Sequence, residues 1–405
     1  MIIQAKHLVN GDGKTALQDA AVVVKNDKIR DLGPAAEVKG RHPGERVVDY
    51  GEATILPGLF DMHEHLAYYY SQPNKEEYDA YLIAYYAQKQ ASLAFARGIT
   101  TVRDLGTAPH GLMRDLRRAA ELGLLKAPRI INTDSGICMT GGHGWEDGEE
   151  QADGPWNIRA VIRRQLRDGA DWIKILTSNR TDVPEFTQEE LDAAVDECHR
   201  RNVKTAVHAG TPIAIQMSID AGFDTIEHGT FMTRAQAEQM AKNGQAWTPT
   251  ITAYTVLYHF SQQQLEKSGG CADDPVAARE LRGMAYYKPA ALAYRDHFKE
   301  FYDTGVTVLA GTDMVLRDAP PLPINLELGY MVKYGITPLQ AIRTATVNPA
   351  KVLGLSGTTG KLETGLQADI LVVRGDASSD ITALDHVLGV YFGGEKVFEP
   401  ADETD

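Results

Sequence analysis

Two histidines stand one residue apart at the end of an apolar run, in "LPGLFDMHEHL" over Leu56–Leu66. In a strand, residues i and i+2 point to the same side, so His63 and His65 aim at one point. Two imidazoles aimed at one point suggest a metal. Two polar residues on an exposed strand end would explain the same pair. Four further residues of suitable chemistry lie in or at the ends of other apolar segments: Lys174 in "WIKIL", His208 in "AVHAG", His228 in "TIEHG" and Asp313 in "LAGTD". Singly, each has an ordinary explanation. A strand-end histidine is often a satisfied structural residue, and an aspartate before a helix can cap it. Lys174 is the odd one. With Ile173 and Ile175 facing helices, its ammonium points inward, where it needs a carboxylate partner, a depressed pKa or chemical modification. For all the ordinary explanations to hold together, at one end of one fold, is a hard coincidence.

The elements that must position these residues alternate between β and α. Eight segments read as strands: 54–63, 99–106, 129–136, 171–178, 204–210, 224–229, 246–252 and 306–313. Helical patterns separate them. "DAYLIAYYAQKQASLAFARG" ends on a glycine stop, and "FTQEELDAAVDECHRRN" opens with a Thr187-x-x-Glu190 capping box. This order predicts an α/β fold, a (β/α)8 TIM barrel, whose active site lies at the C-terminal ends of the strands. A doubly wound open sheet is the alternative, but no G-x-G-x-x-G follows the first strand. Both chain ends read differently, as short β-branched runs broken by turns such as "NGDG" and "KNDK". The expectation is a small composite β-sandwich domain from residues 1–56 and 358–405, with the barrel over 57–357.

The chain has 405 residues, an apolar fraction of 43% and a formal charge of −14. That balance disfavours nucleic acid or an anionic membrane as partner. Cys138, Cys198 and Cys271 form no C-x-x-C and no disulfide framework. With no basic head before a long apolar run and no membrane-length apolar stretch, the expected setting is soluble and cytoplasmic.

The pattern His63-x-His65, Lys174, His208, His228, Asp313 resembles the two-metal members of the amidohydrolase superfamily. So do "GITTVRDLG", "TGGHG", "LAGTDM", "GITPLQAIRTATVNPAKVLGL" and "GKLETGLQADILVV", over nearly the whole chain. The resemblance implies that His63, His65 and Asp313 hold one divalent metal and His208 and His228 a second. Lys174, carboxylated on its side-chain nitrogen, would bridge them, an anion between two cations. A hydroxide bridging the metals would be the nucleophile, and Asp313 would carry its proton to the departing amine. Zinc suits such ligands, with manganese, cobalt and iron as alternatives.

Superfamily members that deaminate rings or open small cyclic amides carry a glutamate three residues after the strand-five histidine; here that position is Thr211. The branch resembled is that of Xaa-Pro dipeptidases, carboxypeptidase-like enzymes and imidazolonepropionase-related amidohydrolases. There the counterparts of His143 and Tyr254 bind the substrate carbonyl or carboxylate, although a solvent-facing loop histidine and a core tyrosine are the plain readings. "TSNRTDVPEF" replaces the usual glycine-rich turn after the lysine, and Arg180 there, or Arg317 in "TDMVLRDAPPLP", could clamp a substrate carboxylate. The expected activity is metal-dependent hydrolysis of a C–N bond in a dipeptide or N-acyl amino acid. Hydrolysis of a non-peptide amide, carbamate or urea is the alternative, and a non-catalytic metal-binding barrel is the other class. The partner is a small molecule, and a homo-oligomer is possible. Trp145, Trp156 and the aromatic run 68–72 could line a pocket mouth. The acidic run 146–154 is expected to be a solvated loop.

Overall fold

The computed structural model describes residues 1–67, 79–106, 109–178, 183–267, 275–314 and 321–401. The two chain ends meet. Strands Ile2–Val9, Ala16–Lys25, Lys28–Pro34, Val47–Asp49 and Ala53–Pro57 join Ile370–Arg374, Val387–Phe392 and Glu395–Phe398 in one eight-stranded sheet. The joint is the antiparallel pairing of Ala53–Pro57 with Ile370–Arg374, from Ile370 opposite Pro57 to Arg374 opposite Ala53. "KNDK" is the hairpin turn, with Asn26 at φ +57°. This pairing describes a single sheet, and the two facing layers of a sandwich are not confirmed by it.

Each of the eight strand segments read from the sequence contains a strand. They are β1 (Leu59–Glu64), β2 (Ile99–Asp104), β3 (Arg129–Asn132), β4 (Trp172–Leu176), β5 (Lys204–Ala209), β6 (Thr225–His228), β7 (Ala246–Thr248) and β8 (Thr307–Val308). β1–β3 form one parallel sheet; β4–β8 form another, extended by the short strands Ile137–Cys138 and Glu150–Gln151. Hydrogen bonds cross both seams. Asp171 N donates to Asn132 O at 2.9 Å, Met62 N to Ala310 O at 2.9 Å and Asp313 N to His63 O at 2.7 Å. The arrangement is consistent with a barrel.

The first segment departs from the expectation of one strand over 54–63. It breaks at Gly58, so that Ala53–Pro57 stays in the terminal sheet and Leu59–Glu64 enters the other. A Cβ at Gly58 would lie 2.3 Å from Thr100 Oγ1, so only glycine lets the chain turn against β2 there. The Thr187–Glu190 capping box is present as read, opening the helix Gln188–His199. Helices Ile251–Lys267 and Pro275–Tyr302 lie between β7 and β8. No helix among the described residues is long and apolar enough to cross a membrane.

The terminal sheet is fastened to the barrel strands by polar and apolar contacts. Arg129 donates to Thr101 Oγ1, Gln367 Oε1 and Asp369 Oδ2 at 2.8, 2.9 and 3.1 Å. Gly98, at φ +77°, packs so closely that a Cβ there would lie 2.5 Å from Leu371 Cδ2. We expect Gly98→Ala to combine left-handed strain with overpacking and cost about 2 kcal/mol or more, read as a fall in denaturation midpoint. Gly51→Ala, at φ +60° with open space around it, should cost only the backbone strain, about 1 kcal/mol.

Candidate metal centre

β1 delivers His63 and His65, and the chain after β8 delivers Asp313. His63 Nδ1 meets Glu227 Oε2 at 2.9 Å, and His65 Nδ1 meets the Gly106 carbonyl at 2.7 Å. Both partners are acceptors, so each Nδ1 carries a proton and each Nε2 is the nitrogen left to a cation. The two Nε2 atoms face Asp313 Oδ1, at 3.8 Å from His63 and 3.4 Å from His65. One ligand atom from each residue falls within 4.8 Å of the others. Tetrahedral ligands at roughly 2.1 Å from zinc stand roughly 3.4 Å apart, so the donor set fits one cation. Burial opposes charge on His65, but the hydrogen bond and charge of Asp313 outweigh it and push its pKa up to about 9. The site holds a proton where a cation would take its place.

The remaining candidates continue from this group. Ring centroids run from His63 to His228 at 4.8 Å, His228 to His208 at 4.5 Å and His208 to His143 at 4.4 Å. Thr250 gives its hydroxyl proton to the Pro249 carbonyl at 2.7 Å, so its oxygen accepts from His228 Nδ1, also at 2.7 Å. Lys174 is buried, with no carboxylate in ion-pair distance among the described residues. Burial pushes its pKa down to about 8, which leaves a share of neutral amine at neutral pH. A buried amine with no carboxylate in direct contact suits the carboxylated form, in which the side chain supplies its own negative charge.

The strand ends are strained. His228, Thr250 and Asp313 lie at φ +64°, +52° and +46°, a left-handed region that costs a non-glycine residue about 1 kcal/mol or more. Hydrogen bonds hold them there: Trp247 Nε1 donates to His228 O at 2.7 Å, Tyr294 Oη to the same carbonyl at 3.1 Å, and Asp313 N to His63 O at 2.7 Å.

Beneath the histidines lies a buried polar layer that the sequence reading missed. Arg103, fully buried, donates Nε to Met62 O at 2.7 Å, Nη1 to Thr225 Oγ1 at 3.0 Å and Nη2 to Glu227 Oε1 at 2.7 Å. Its guanidinium lies 4.9 Å from the Trp172 ring centroid. A charged residue inside each apolar segment, in "TVRDL" and "TIEHG", was the available signal. Thr312 Oγ1 contacts both Asp61 and Glu64. Burial pushes Asp61 up to about 7, and burial beside Asp61 pushes Glu64 well above the usual carboxylate range.

The surroundings place the remaining residues and correct one expectation, the solvated acidic run. His143 belongs to a loop tied to the body, its N–H shared by both oxygens of Glu185 at 3.0 Å. Tyr254 is buried, 5.5 Å from the His228 ring, beside Tyr294 and Tyr286 at 5.6 and 6.0 Å. Burial raises its phenol well above the ordinary value, so it stays a donor. Glu327 accepts from Ile251 N and Thr252 N at 3.1 and 2.7 Å, fixing the start of the helix that carries Tyr254. Trp145 and Trp156 are 48% and 81% exposed. The acidic run is not wholly solvated, because Glu150–Gln151 is a strand and Glu149 turns inward. Arg180, Arg317 and the aromatic run 68–72 lie outside the described residues.

The chain is similar to known proteins over most of its length. The chain is 28% identical to ochratoxinase of Aspergillus niger, across 97% of this chain and 86% of that one. It is 24% identical to an imidazolonepropionase of Chloroflexus aggregans, across 89% and 86%. The solved structure of a Xaa-Pro dipeptidase with methionine bound in its active site superposes with a TM-score of 0.85 at 28% identity, across 98% of this chain and 99% of that one. The amidohydrolase family model matches residues 54–397, and on that match, with the histidine and aspartate cluster it encloses, the chain belongs to the amidohydrolase family.

Proposed function

We propose that the chain hydrolyses a C–N bond with two divalent metals, zinc foremost, acting on a dipeptide or N-acyl amino acid. The observation that carries this reading is the group His63, His65 and Asp313, with both Nε2 atoms turned toward one carboxylate. The fold outside it would divide as barrel 57–357 for the chemistry and terminal residues 1–56 and 358–405 for support. His63, His65 and Asp313 would hold one metal, His208 and His228 the other, with carboxylated Lys174 between them. When bound, the metals supply Lewis-acid polarisation of the acyl oxygen and a water acidified toward roughly pH 7. Asp313 takes the proton of the attacking water and returns it to the leaving amine. Tyr254, kept protonated by burial, and His143 donate to the substrate carbonyl or carboxylate. Glu227 and the Gly106 carbonyl hold the two imidazoles in the ligating tautomer.

A second reading, hydrolysis of a non-peptide amide, is favoured by one observation: a relative covering 97% of this chain is named for a toxin substrate rather than a peptide. Xaa-Pro, Xaa-Arg and aryl-amide substrates separate the two. A protein holding about two metals per chain with no turnover on any of them would instead be a binding barrel.

Three outcomes are expected. Exhaustive chelation abolishes turnover and zinc with bicarbonate restores it; turnover that persisted without metal would refute the reading. Asp313→Asn keeps the circular dichroism of the fold and lowers kcat about 100-fold or more, and a near-normal kcat would remove the proton-carrying role. Glu227→Gln can no longer pair with Arg103 and His63 as an anion, so zinc affinity measured against a competing chelator falls about 10- to 100-fold.

A further inference from the structure

Glu149 sits in a slot that three glycines make for it. A Cβ at Gly106 would lie 3.1 Å from Glu149 Oε1, one at Gly136 2.9 Å from Oε2, and one at Gly144 2.7 Å from Cγ. Three loops thus leave out a side chain where one carboxylate enters. Ser135 Oγ donates to Oε2 at 2.9 Å. Among the described residues, no side chain donates to Oε1 and no lysine or arginine pairs with the carboxylate.

The slot borders the candidate metal centre, near enough for the charges of His65 and Lys174 to act on the carboxylate. Gly106, the neighbour of Oε1, is also the residue whose carbonyl accepts from His65 Nδ1 at 2.7 Å. Gly136, the neighbour of Oε2, faces Leu176, two residues beyond Lys174 on β4. Burial costs this carboxylate more than the nearby charges of His65 and Lys174 and the bonds from Ser135 and the Gly136 N–H return, so its pKa stays raised. A cation arriving with the substrate would offset that cost. The shape selects which cation. Ser135 already occupies Oε2, so the two-oxygen fork that a guanidinium needs is not offered, whereas a primary ammonium needs one oxygen and little room.

We propose that Glu149 is a specificity-determining residue that receives the free α-ammonium of the substrate, so that unblocked dipeptides are taken in preference to N-acyl amino acids. This rests on the hydrolase reading above and narrows its substrate class.

The test pairs the alanyl dipeptide that the zinc-loaded enzyme cleaves fastest with its propionyl counterpart, which has the same shape without the ammonium. The alanyl substrate should show a kcat/KM advantage of about tenfold or more, as expected for a charge-assisted hydrogen bond, carried mainly in KM. The advantage should fade as pH rises through the dipeptide's own amine pKa, about 8. Glu149→Gln should bring the ratio within about twofold. Calorimetry on the metal-free protein should show the same preference in binding, lost in the variant. Equal handling of the pair by the wild type, or a preference that survives in Glu149→Gln, would overturn the proposal. If that variant fails to fold, the wild-type ratio and its pH dependence decide. If the metal-loaded protein cleaves neither compound, the hydrolase reading fails, while the metal-free calorimetry still tests the ammonium site by itself.

Discussion

The hydrogen bond from His63 Nδ1 to Glu227 is the constraint on which the centre depends. A neutral imidazole has one lone pair, and it faces Asp313 only if the proton sits on the other nitrogen. Glu227 secures that proton as an anion, and an anion with no exposed surface needs a cation, which Arg103 provides at 2.7 Å. Arg103 in turn bonds the carbonyl of Met62, one residue before His63. Three strands, β1, β2 and β6, are therefore tied by one buried ion pair to one histidine tautomer. Such a pair is a weak source of net stability because its desolvation is costly. What it does supply is orientation, and replacing it by apolar side chains would leave His63 free to present either nitrogen.

The strained backbone at the strand ends follows from the same need. A strand sends alternate side chains to opposite faces, so a residue at or just past the strand end reaches the mouth only if the backbone turns. His228, Thr250 and Asp313 make that turn in the left-handed region. The strain persists because each is fixed from outside itself: the His228 carbonyl by Trp247 and Tyr294, Thr250 by His228, and Asp313 by the His63 carbonyl. β8 is regular only over Thr307–Val308 because the residues after it divide their bonds among Trp247, Thr344 and β1.

What could be read from the sequence was whatever a single segment encodes. β-branched apolar runs marked the strands, Thr187 and Glu190 marked a helix start, and histidines at run ends marked the mouth. What could not be read depends on contacts between segments. "TILPGLFDMH" carries one continuous apolar pattern, and only the nearness of Thr100 divides it at Gly58. "EDGEEQADG" has the composition of a solvated loop, and only the absence of side chains at Gly106, Gly136 and Gly144 draws Glu149 inward. Arg103 and Glu227 lay in plain view as charges within strands, but each alone is a liability in a core, and their meaning appears only when β2 and β6 bring them together.

The acids below Asp313 complete the electrostatic argument. Asp61 and Glu64 both contact the Thr312 hydroxyl, and a hydroxyl has one proton to give. If it goes to Asp61, the contact with Glu64 is a hydrogen bond only when Glu64 keeps its own proton. That assignment agrees with the stronger upward push on Glu64, which is buried beside a second carboxylate. Asp61 then accepts from the backbone N–H groups of His63 and Thr312, fixing the neighbours of two candidate ligands. A second full charge on Glu64 would repel Asp313. With Glu64 neutral, the negative field at the mouth is centred on Asp313, the carboxylate that both Nε2 atoms face.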